Sequence, residues 1–188
     1  QDTCPGSILL FRRNLVSNRQ TQSLILQLRS LRRKCADTPL LVGLDQEGGQ
    51  VARIPFDPPM PSAWALGATR DPKLAEGLGF EVGQALRRWG VNMDLAPVLD
   101  LGRGDRKSFI GSRSFGSDPD QVAEIGSAFS FGLIRARVLP VAKHFPGLGD
   151  IPNDPHQEMI RRSASDRHLW QFDLKPFREF THIRSEER

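Results

Sequence analysis

Residues 138–145, VLPVAKHF, form an apolar run that ends in a lysine and a histidine. The run does not alternate between apolar and polar residues, as a strand with one solvent-exposed face would. A strand that is apolar on both faces is typical of a parallel sheet covered by helices. Because an unpaired charge is costly inside a core, we expect Lys143 and His144 to lie at the strand tip, facing a ligand or a carboxylate.

Three earlier runs have the same character and read SILLF (7–11), PLLVGL (39–44) and VNMDLAPVLDL (91–101). Amphipathic helices are predicted between the runs, so the chain consists of four strand–helix units of an α/β fold. A closed eight-stranded barrel takes about 250 residues, whereas this chain has 188. The patterns alone therefore leave both an incomplete barrel and an open doubly wound sheet, formed by a single domain over residues 1–188.

Local signals predict where the helices lie. Asp-Pro pairs at 71–72 and 118–119 each place a capping aspartate before a proline in the first turn. Two further helices are predicted over residues 20–34 and from 166 to about 180, the latter broken or restarted near its proline. The stretch from 45 to 69 is rich in proline and glycine, and we expect it to form a long loop.

Composition narrows the class of protein. The net charge is +4, but the basic residues are spread along the chain and lack interleaved aromatics, which favours solvated helix faces over nucleic-acid binding. No apolar run approaches a membrane span and no signal peptide is visible, so we expect no membrane association and a cytoplasmic location. The two cysteines, Cys4 and Cys35, form no CxxC pair; this predicts free thiols and no zinc site.

Polar residues cluster just beyond the apolar runs, in the segments 43–53 (GLDQEGGQVAR), 92–100 (NMDLAPVLD), 109–116 (FIGSRSFG) and 143–156 (KHFPGLGDIPNDPH). Taken singly, each segment favours a structural role, such as a capped loop, a bracing carboxylate or a surface ion pair. In barrels and open α/β sheets, however, ligands bind at the carboxyl ends of the strands. The joint placement of the four segments therefore favours a ligand site on one rim of the sheet.

The same segments contain candidate site residues. Arg53 can make a bidentate contact with a carboxylate or a hydroxyl pair. Asp154 and His156 are two residues apart, so they can share one side of an extended loop. A histidine oriented by a carboxylate is a usable proton donor near neutral pH.

The four segments together resemble the family 3 glycoside hydrolases, in particular the β-N-acetylhexosaminidases of bacterial cell-wall recycling. That family carries DQEGG ending in arginine, N-x-D-x-APV-x-D, IG-x-RSFG-x-DP, and KHFPG-x-GD followed by D-x-H. The resemblance runs from about residue 6 to about residue 177. Departures lie at Gln50, Leu148 and Ile151, where the family usually has arginine, histidine and threonine.

The resemblance implies a (β/α)8 barrel and a retaining glycosidase that removes terminal β-linked N-acetylglucosamine, for example from muropeptides, without a metal or cofactor. It implies that His156 is the general acid/base and that Asp154 is its partner. The residues implied to bind the sugar are Asp45, Arg53, Arg113, Lys143 and His144.

The resemblance also implies features at the two ends of the chain. The first strand of the family's barrel would precede residue 1, and its last strands would follow residues 175–178. No residue here matches the aspartate nucleophile of the family, so an inactive sugar-binding remnant is the alternative to a working enzyme. An incomplete barrel exposes strand edges, which predicts self-association.

Overall fold

The computed structural model describes residues 4–33, 37–102, 108–148, 151 and 164–182. The strands are β1 (Ser7–Leu9), β2 (Leu41–Leu44), β3 (Gln46–Gly48), β4 (Val51–Ala52), β5 (Met93–Asp94) and β6 (Leu139–Pro140). The helices are α1 (Asn18–Arg33), α2 (Ala63–Thr69), α3 (Pro72–Arg88), α4 (Pro119–Arg135), α5 (Asp166–His168) and α6 (Lys175–His182). Short 3-10 turns lie at Arg12–Asn14 and Gly111–Arg113, and a π-helical turn lies at Leu169–Asp173.

One parallel sheet holds β1, β2, β5 and β6 side by side in that order. Gly43 pairs with Met93, and Met93 pairs in turn with Leu139. Each new strand is added at the same edge, as in a barrel, whereas the strand order of a doubly wound sheet reverses at a switch point. The prediction of an α/β fold of the barrel type, present here as an incomplete barrel, is therefore confirmed.

The helix starts follow the capping signals. Asp71 accepts hydrogen bonds from the backbone N–H groups at the start of α3, and Asp118 does the same for α4. Each cap satisfies two donors that have no partner within the helix. The last helical segment is interrupted, as predicted: a π-helical turn follows α5, and α6 begins at Lys175, next to Pro176.

The predicted loop over residues 45–69 is wrong, because this stretch contains the antiparallel hairpin β3–β4 and the helix α2. The amide of Gln46 holds the hairpin: its Oε1 accepts from Arg53 N (2.8 Å) and Ile54 N (2.9 Å), and its Nε2 donates to Ile54 O (3.1 Å). Gly48 has φ of +97°, and a Cβ there would lie 2.4 Å from the Pro61 carbonyl oxygen. The GG pair is thus required for the turn to form against residue 61.

Helices α3 and α4 pack so closely that their backbones meet at glycines. A Cβ at Gly79 would lie 2.0 Å from the Phe129 carbonyl oxygen, and one at Gly132 would lie 2.1 Å from the Glu76 carbonyl oxygen. Glycine at such positions lets two helices approach without side chains between them. This close pair covers one face of the sheet and fixes where the adjoining loops emerge.

Cys4 is disulfide-bonded, so the expectation of a free thiol is wrong for this residue. In the part of the chain that the structure describes, no helix combines the length and apolar character needed to cross a bilayer.

We predict opposite effects for two Gly→Ala substitutions in α3. Gly79→Ala places a methyl group against the α4 backbone and should lower the free energy of unfolding by about 1–3 kcal/mol. Gly77→Ala is the matched control, since nothing lies within 4 Å of its Cβ position, and it should raise stability by about 0.5–1 kcal/mol through helix propensity. Urea unfolding followed by circular dichroism measures both, and equal effects would contradict the close packing of α3 on α4.

Candidate functional site

A buried carboxylate, Glu47, lies at the centre of the polar rim. Its Oε2 accepts from Arg113 Nε (2.7 Å) and its Oε1 from Arg113 Nη2 (2.8 Å), which makes a bidentate pair. Lys143 Nζ lies 2.6 Å from the same Oε1. The Glu47 side chain is only 3% exposed, so its charge is neutralised by two cations rather than by water.

A second, more exposed carboxylate continues this network. Lys143 Nζ donates to Asp45 Oδ1 at 2.6 Å, and Arg53 Nη2 lies 3.4 Å from Asp45 Oδ2. The side chains of Asp45 and Arg53 are 19% and 24% exposed. This part of the site is therefore open to solvent and available to a ligand.

His144 is held from behind by a buried aspartate. Asp100 Oδ2 accepts from His144 N (3.0 Å) and lies 2.6 Å from His144 Nδ1. The other ring nitrogen, Nε2, faces Arg113 Nη2 at 3.5 Å. His144 thereby joins the group that already contains Glu47 and Lys143.

The guanidinium of Arg113 has a shifted pKa. Burial by itself lowers the pKa of Arg113, but the hydrogen bonds and charge of Glu47, with smaller contributions from Asp100 and Asp45, raise it overall. Arg113 is thus a fixed cation with its donors divided between Glu47 and the His144 ring. Taken alone, the segment 109–116 suggests a surface ion pair for Arg113; that expectation is wrong, because its side chain is 10% exposed.

Beneath this network lies Asp94, which is fully buried. Its Oδ1 accepts from Gln46 N (3.0 Å), while its Oδ2 has no hydrogen-bond partner among the described residues. Desolvation raises the pKa of Asp94 well above its ordinary value, opposed by the Gln46 hydrogen bond and by the charge of Lys143. The carboxyl group therefore favours its protonated form.

The structure brings together five of the sequence-predicted site residues. These are Asp45, Arg53, Arg113, Lys143 and His144. The predicted pair Asp154 and His156 lies outside the described residues. Within the described ranges, no three His, Cys, Asp or Glu side chains cluster in a way that could hold a metal ion.

Two residues that organise the site were missing from the predicted set. They are Glu47, in the segment 43–53, and Asp100, at the end of the segment 92–100. A usable signal existed for both, since a carboxylate next to a buried strand needs a partner. The partners could not be identified locally, because Arg113 and His144 lie 66 and 44 residues away in the chain.

The fold and the site together define an α/β barrel-type protein with a polar site at the carboxyl ends of its parallel strands. The family profile described as "Glycosyl hydrolase family 3 N terminal domain" matches residues 1–185. The chain therefore belongs to glycosyl hydrolase family 3.

The relatives agree with this assignment. A protein from Xylella fastidiosa strain M23 named beta-hexosaminidase is 37% identical over 185 residues, covering 94% of this chain and 53% of the relative. The beta-hexosaminidase of Alkalilimnicola ehrlichii is 38% identical over 180 residues, covering 92% of this chain and 50% of the relative. The chain thus spans about half the length of the curated relatives it matches.

Solved structures show the same fold. Native NagZ from Neisseria gonorrhoeae superposes with a TM-score of 0.84 at 31% identity, covering 94% of this chain and 52% of that one. A family 3 β-N-acetylglucosaminidase from Paenibacillus sp. gives a TM-score of 0.83 at 36% identity, with 93% and 34% coverage. The gonococcal NagZ in complex with N-trifluoroacetyl-D-glucosamine gives 0.83 at 33% identity, with 97% and 53% coverage.

We predict that Glu47→Gln is strongly destabilising. The substitution leaves Arg113 and Lys143 without their shared counter-charge in a buried site, which typically costs about 3–5 kcal/mol. Glu76→Gln is the matched control, because Glu76 pairs with Arg135 at the surface, where such a pair contributes about 0–1 kcal/mol. Urea unfolding compares the two variants, and similar losses would show that Glu47 does not have the role described.

Because the pKa of Asp94 is raised, we predict that the difference in free energy of unfolding between the wild type and Asp94→Asn depends on pH. The folded protein retains a proton that the unfolded chain releases as pH rises above the ordinary value of 3.8. The contribution of the protonated Asp94 carboxyl group to the free energy of unfolding is therefore complete at low pH, and it is lost as pH rises through the raised pKa.

Asparagine does not titrate, so the stability of Asp94→Asn relative to the wild type should increase with pH, by up to about 1.4 kcal/mol per pH unit. Urea unfolding from about pH 5 to about pH 8 measures this difference. A difference that stays constant, or that decreases with pH, would contradict a raised pKa for Asp94.

Proposed function

We propose that this chain is part of a retaining β-N-acetylhexosaminidase that removes terminal β-linked N-acetylglucosamine, as in the recycling of peptidoglycan fragments. The observation that carries the proposal is the charge balance of the rim. Among its described residues, three carboxylates (Asp45, Glu47 and Asp100) are matched by three cations (Arg53, Arg113 and Lys143). A site without net charge suits a neutral sugar better than a phosphate or a carboxylate ligand.

The balance of donors and acceptors supports the same substrate class. Each hydroxyl of a sugar both donates and accepts hydrogen bonds, and the rim offers acceptor oxygens on Asp45 beside donors on Arg53 and Lys143. These groups are already held by one another, so little conformational entropy is lost when a ligand binds.

Exposure divides the residues into two sets. Asp45, Arg53 and His144 are 19–31% exposed, whereas Glu47 and Asp100 are at most 3% exposed. We propose that the sugar is contacted by the more exposed residues, together with Arg113 and Lys143. Glu47 and Asp100 hold these side chains in place. The gonococcal NagZ complex with N-trifluoroacetyl-D-glucosamine supports an N-acylated amino sugar as the ligand.

For the chemical steps, we propose His156 as general acid/base and Asp154 as the carboxylate that orients it. His156 would protonate the leaving oxygen and then activate water, while an attacking carboxylate from outside these 188 residues would form the glycosyl-enzyme intermediate. Retaining glycosidases ordinarily use one carboxyl group as acid/base and a second as nucleophile. A histidine as the acid/base departs from this pattern, and the departure can be tested.

Sugar binding is tested by titrating the chain with N-acetylglucosamine and following backbone amide signals by NMR. We expect perturbations at Asp45, Arg113 and His144, and a weakening of about tenfold in Asp45→Asn through loss of a charged acceptor. Asp118→Asn is the control and should bind normally, because Asp118 accepts from the backbone N–H groups of Asp120 and Gln121 and asparagine also caps helices. Wild-type protein with no perturbation would overturn the proposal.

Hydrolysis is tested with an aryl β-N-acetylglucosaminide. In a protein that also supplies the attacking carboxylate, release of the aryl group should be lost in His156→Ala and retained in His168→Ala, since His168 lies on α5 and contacts Phe172 and Asp173. If the 188-residue chain binds the sugar without hydrolysing the aryl glycoside, the alternative of a sugar-binding remnant is favoured for the isolated chain.

We also propose that the isolated chain self-associates. Among the described residues, β6 pairs on one side only, and a groove of about 420 Å³ beside it is lined mainly by apolar side chains. Phe145, 73% exposed, lies at this groove with its ring centroid 5.7 Å from that of Phe177. An open strand edge beside an apolar groove favours pairing with a second copy.

Sedimentation velocity tests self-association: the wild type should show concentration-dependent association, and Phe145→Asp should shift the population towards monomer. A wild type that stays monomeric at all concentrations would contradict this proposal. The cytoplasmic location stays a prediction, and a disulfide at Cys4 is unusual for a reducing compartment.

A further inference from the structure

Asp100 is a buried carboxylate whose two oxygens serve two different parts of the site. Oδ2 accepts from the backbone N–H of His144 (3.0 Å) and contacts its ring Nδ1 (2.6 Å). Oδ1 accepts from the backbone N–H of Leu148 at 2.6 Å. Three donors therefore converge on one side chain that is 1% exposed.

The contact with Nδ1 determines the state of the imidazole. Each Asp100 oxygen already accepts from a backbone N–H group, so the carboxyl group acts as the acceptor and Nδ1 carries the hydrogen in this 2.6 Å contact. In the neutral ring, Nε2 then carries the lone pair. The lone pair of Nε2 faces the N–H donors of Arg113 Nη2 at 3.5 Å. In the opposite tautomer Nε2 would carry the hydrogen, and two donors would face each other.

The contact with Leu148 involves the chain just after His144. His144 and Leu148 begin the segment 143–156, which carries the Asp154 and His156 of the proposed acid/base pair. Asp100 fixes both of these backbone positions, four residues apart, to one point at the end of the 91–101 run. The first turn of that segment is therefore tied to the sheet.

We propose that Asp100 is a positioning residue of the sugar site: it fixes the Nδ1–H tautomer of His144. This inference rests on the proposed function for its effect on sugar binding. Its effect on the ring is a property of the free protein and is measured separately.

An aspartate is required here because of the number of donors. Asparagine has one acceptor oxygen and brings two donors of its own, so it cannot accept from both Leu148 N and the His144 groups. Asp94 provides the internal control, since it is equally buried but accepts a single hydrogen bond, from Gln46 N, and leaves its second oxygen unpartnered among the described residues.

The tautomer is read directly by ¹⁵N NMR of histidine-labelled protein at about pH 8, where histidines are ordinarily neutral. His144→Ala assigns the ring signals. We expect Nδ1 protonated and Nε2 unprotonated in the wild type and in Asp94→Asn, with a mixture of tautomers in Asp100→Asn. A wild-type ring protonated at Nε2 would overturn the proposal, and so would an unchanged tautomer in a folded Asp100→Asn. If Asp100→Asn does not fold, the wild-type spectrum still shows whether Nδ1 carries the proton.

The effect on binding is tested by a double-mutant cycle with N-acetylglucosamine as the probe. Asp100→Asn and His144→Ala should each raise the Kd about tenfold. The double variant should be no weaker than His144→Ala alone, because Asp100 acts on the sugar through His144. If the two increases in Kd multiply in the double variant, Asp100 acts on the sugar independently of His144, and the positioning role is overturned. If the wild type binds no sugar, the proposed function fails, and the NMR comparison alone decides whether Asp100 sets the ring.

Discussion

The carboxylate of Glu47, shared between Arg113 and Lys143, is the interaction on which the site depends. It joins a hairpin after β2, a turn before α4 and a residue three positions beyond β6, three parts of the chain separated by up to 96 residues. Because the side chain is almost fully buried, each charge has little water to replace a lost partner. Glu47 therefore fixes the positions of the two cations that flank Asp45 and His144, which we propose contact the sugar.

The sheet makes this arrangement possible. Parallel strands added in chain order bring their carboxyl ends to one rim, so polar residues that follow different apolar runs can meet in one space. The close contact of α3 with α4 through glycines limits how far the connecting segments can shift. Helices, strands and loops thus converge on a site whose opposite charges are already paired before a ligand arrives.

Much of the fold was predictable from local signals. The apolar runs predicted the parallel strands, and the Asp-Pro pairs predicted the starts of α3 and α4, because capping depends on residues two or three positions apart. The hairpin β3–β4 was missed although Gly48-Gly49 is a turn signal, because the amide of Gln46 that holds the hairpin together bonds to residues seven and eight positions away. Five site residues were identified through resemblance, whereas Glu47 and Asp100 became recognisable only when partners distant in sequence were brought into contact.

The central claim is that a charge-balanced rim at the strand ends binds a neutral amino sugar. A crystal structure of the chain soaked with N-acetylglucosamine tests it most directly. We predict that the sugar hydroxyls lie within hydrogen-bond distance of Asp45, Arg53 and Lys143, with Glu47 still paired to Arg113. A sugar bound elsewhere on the chain, or a rim that binds a phosphate ion in preference to the sugar, would contradict the account.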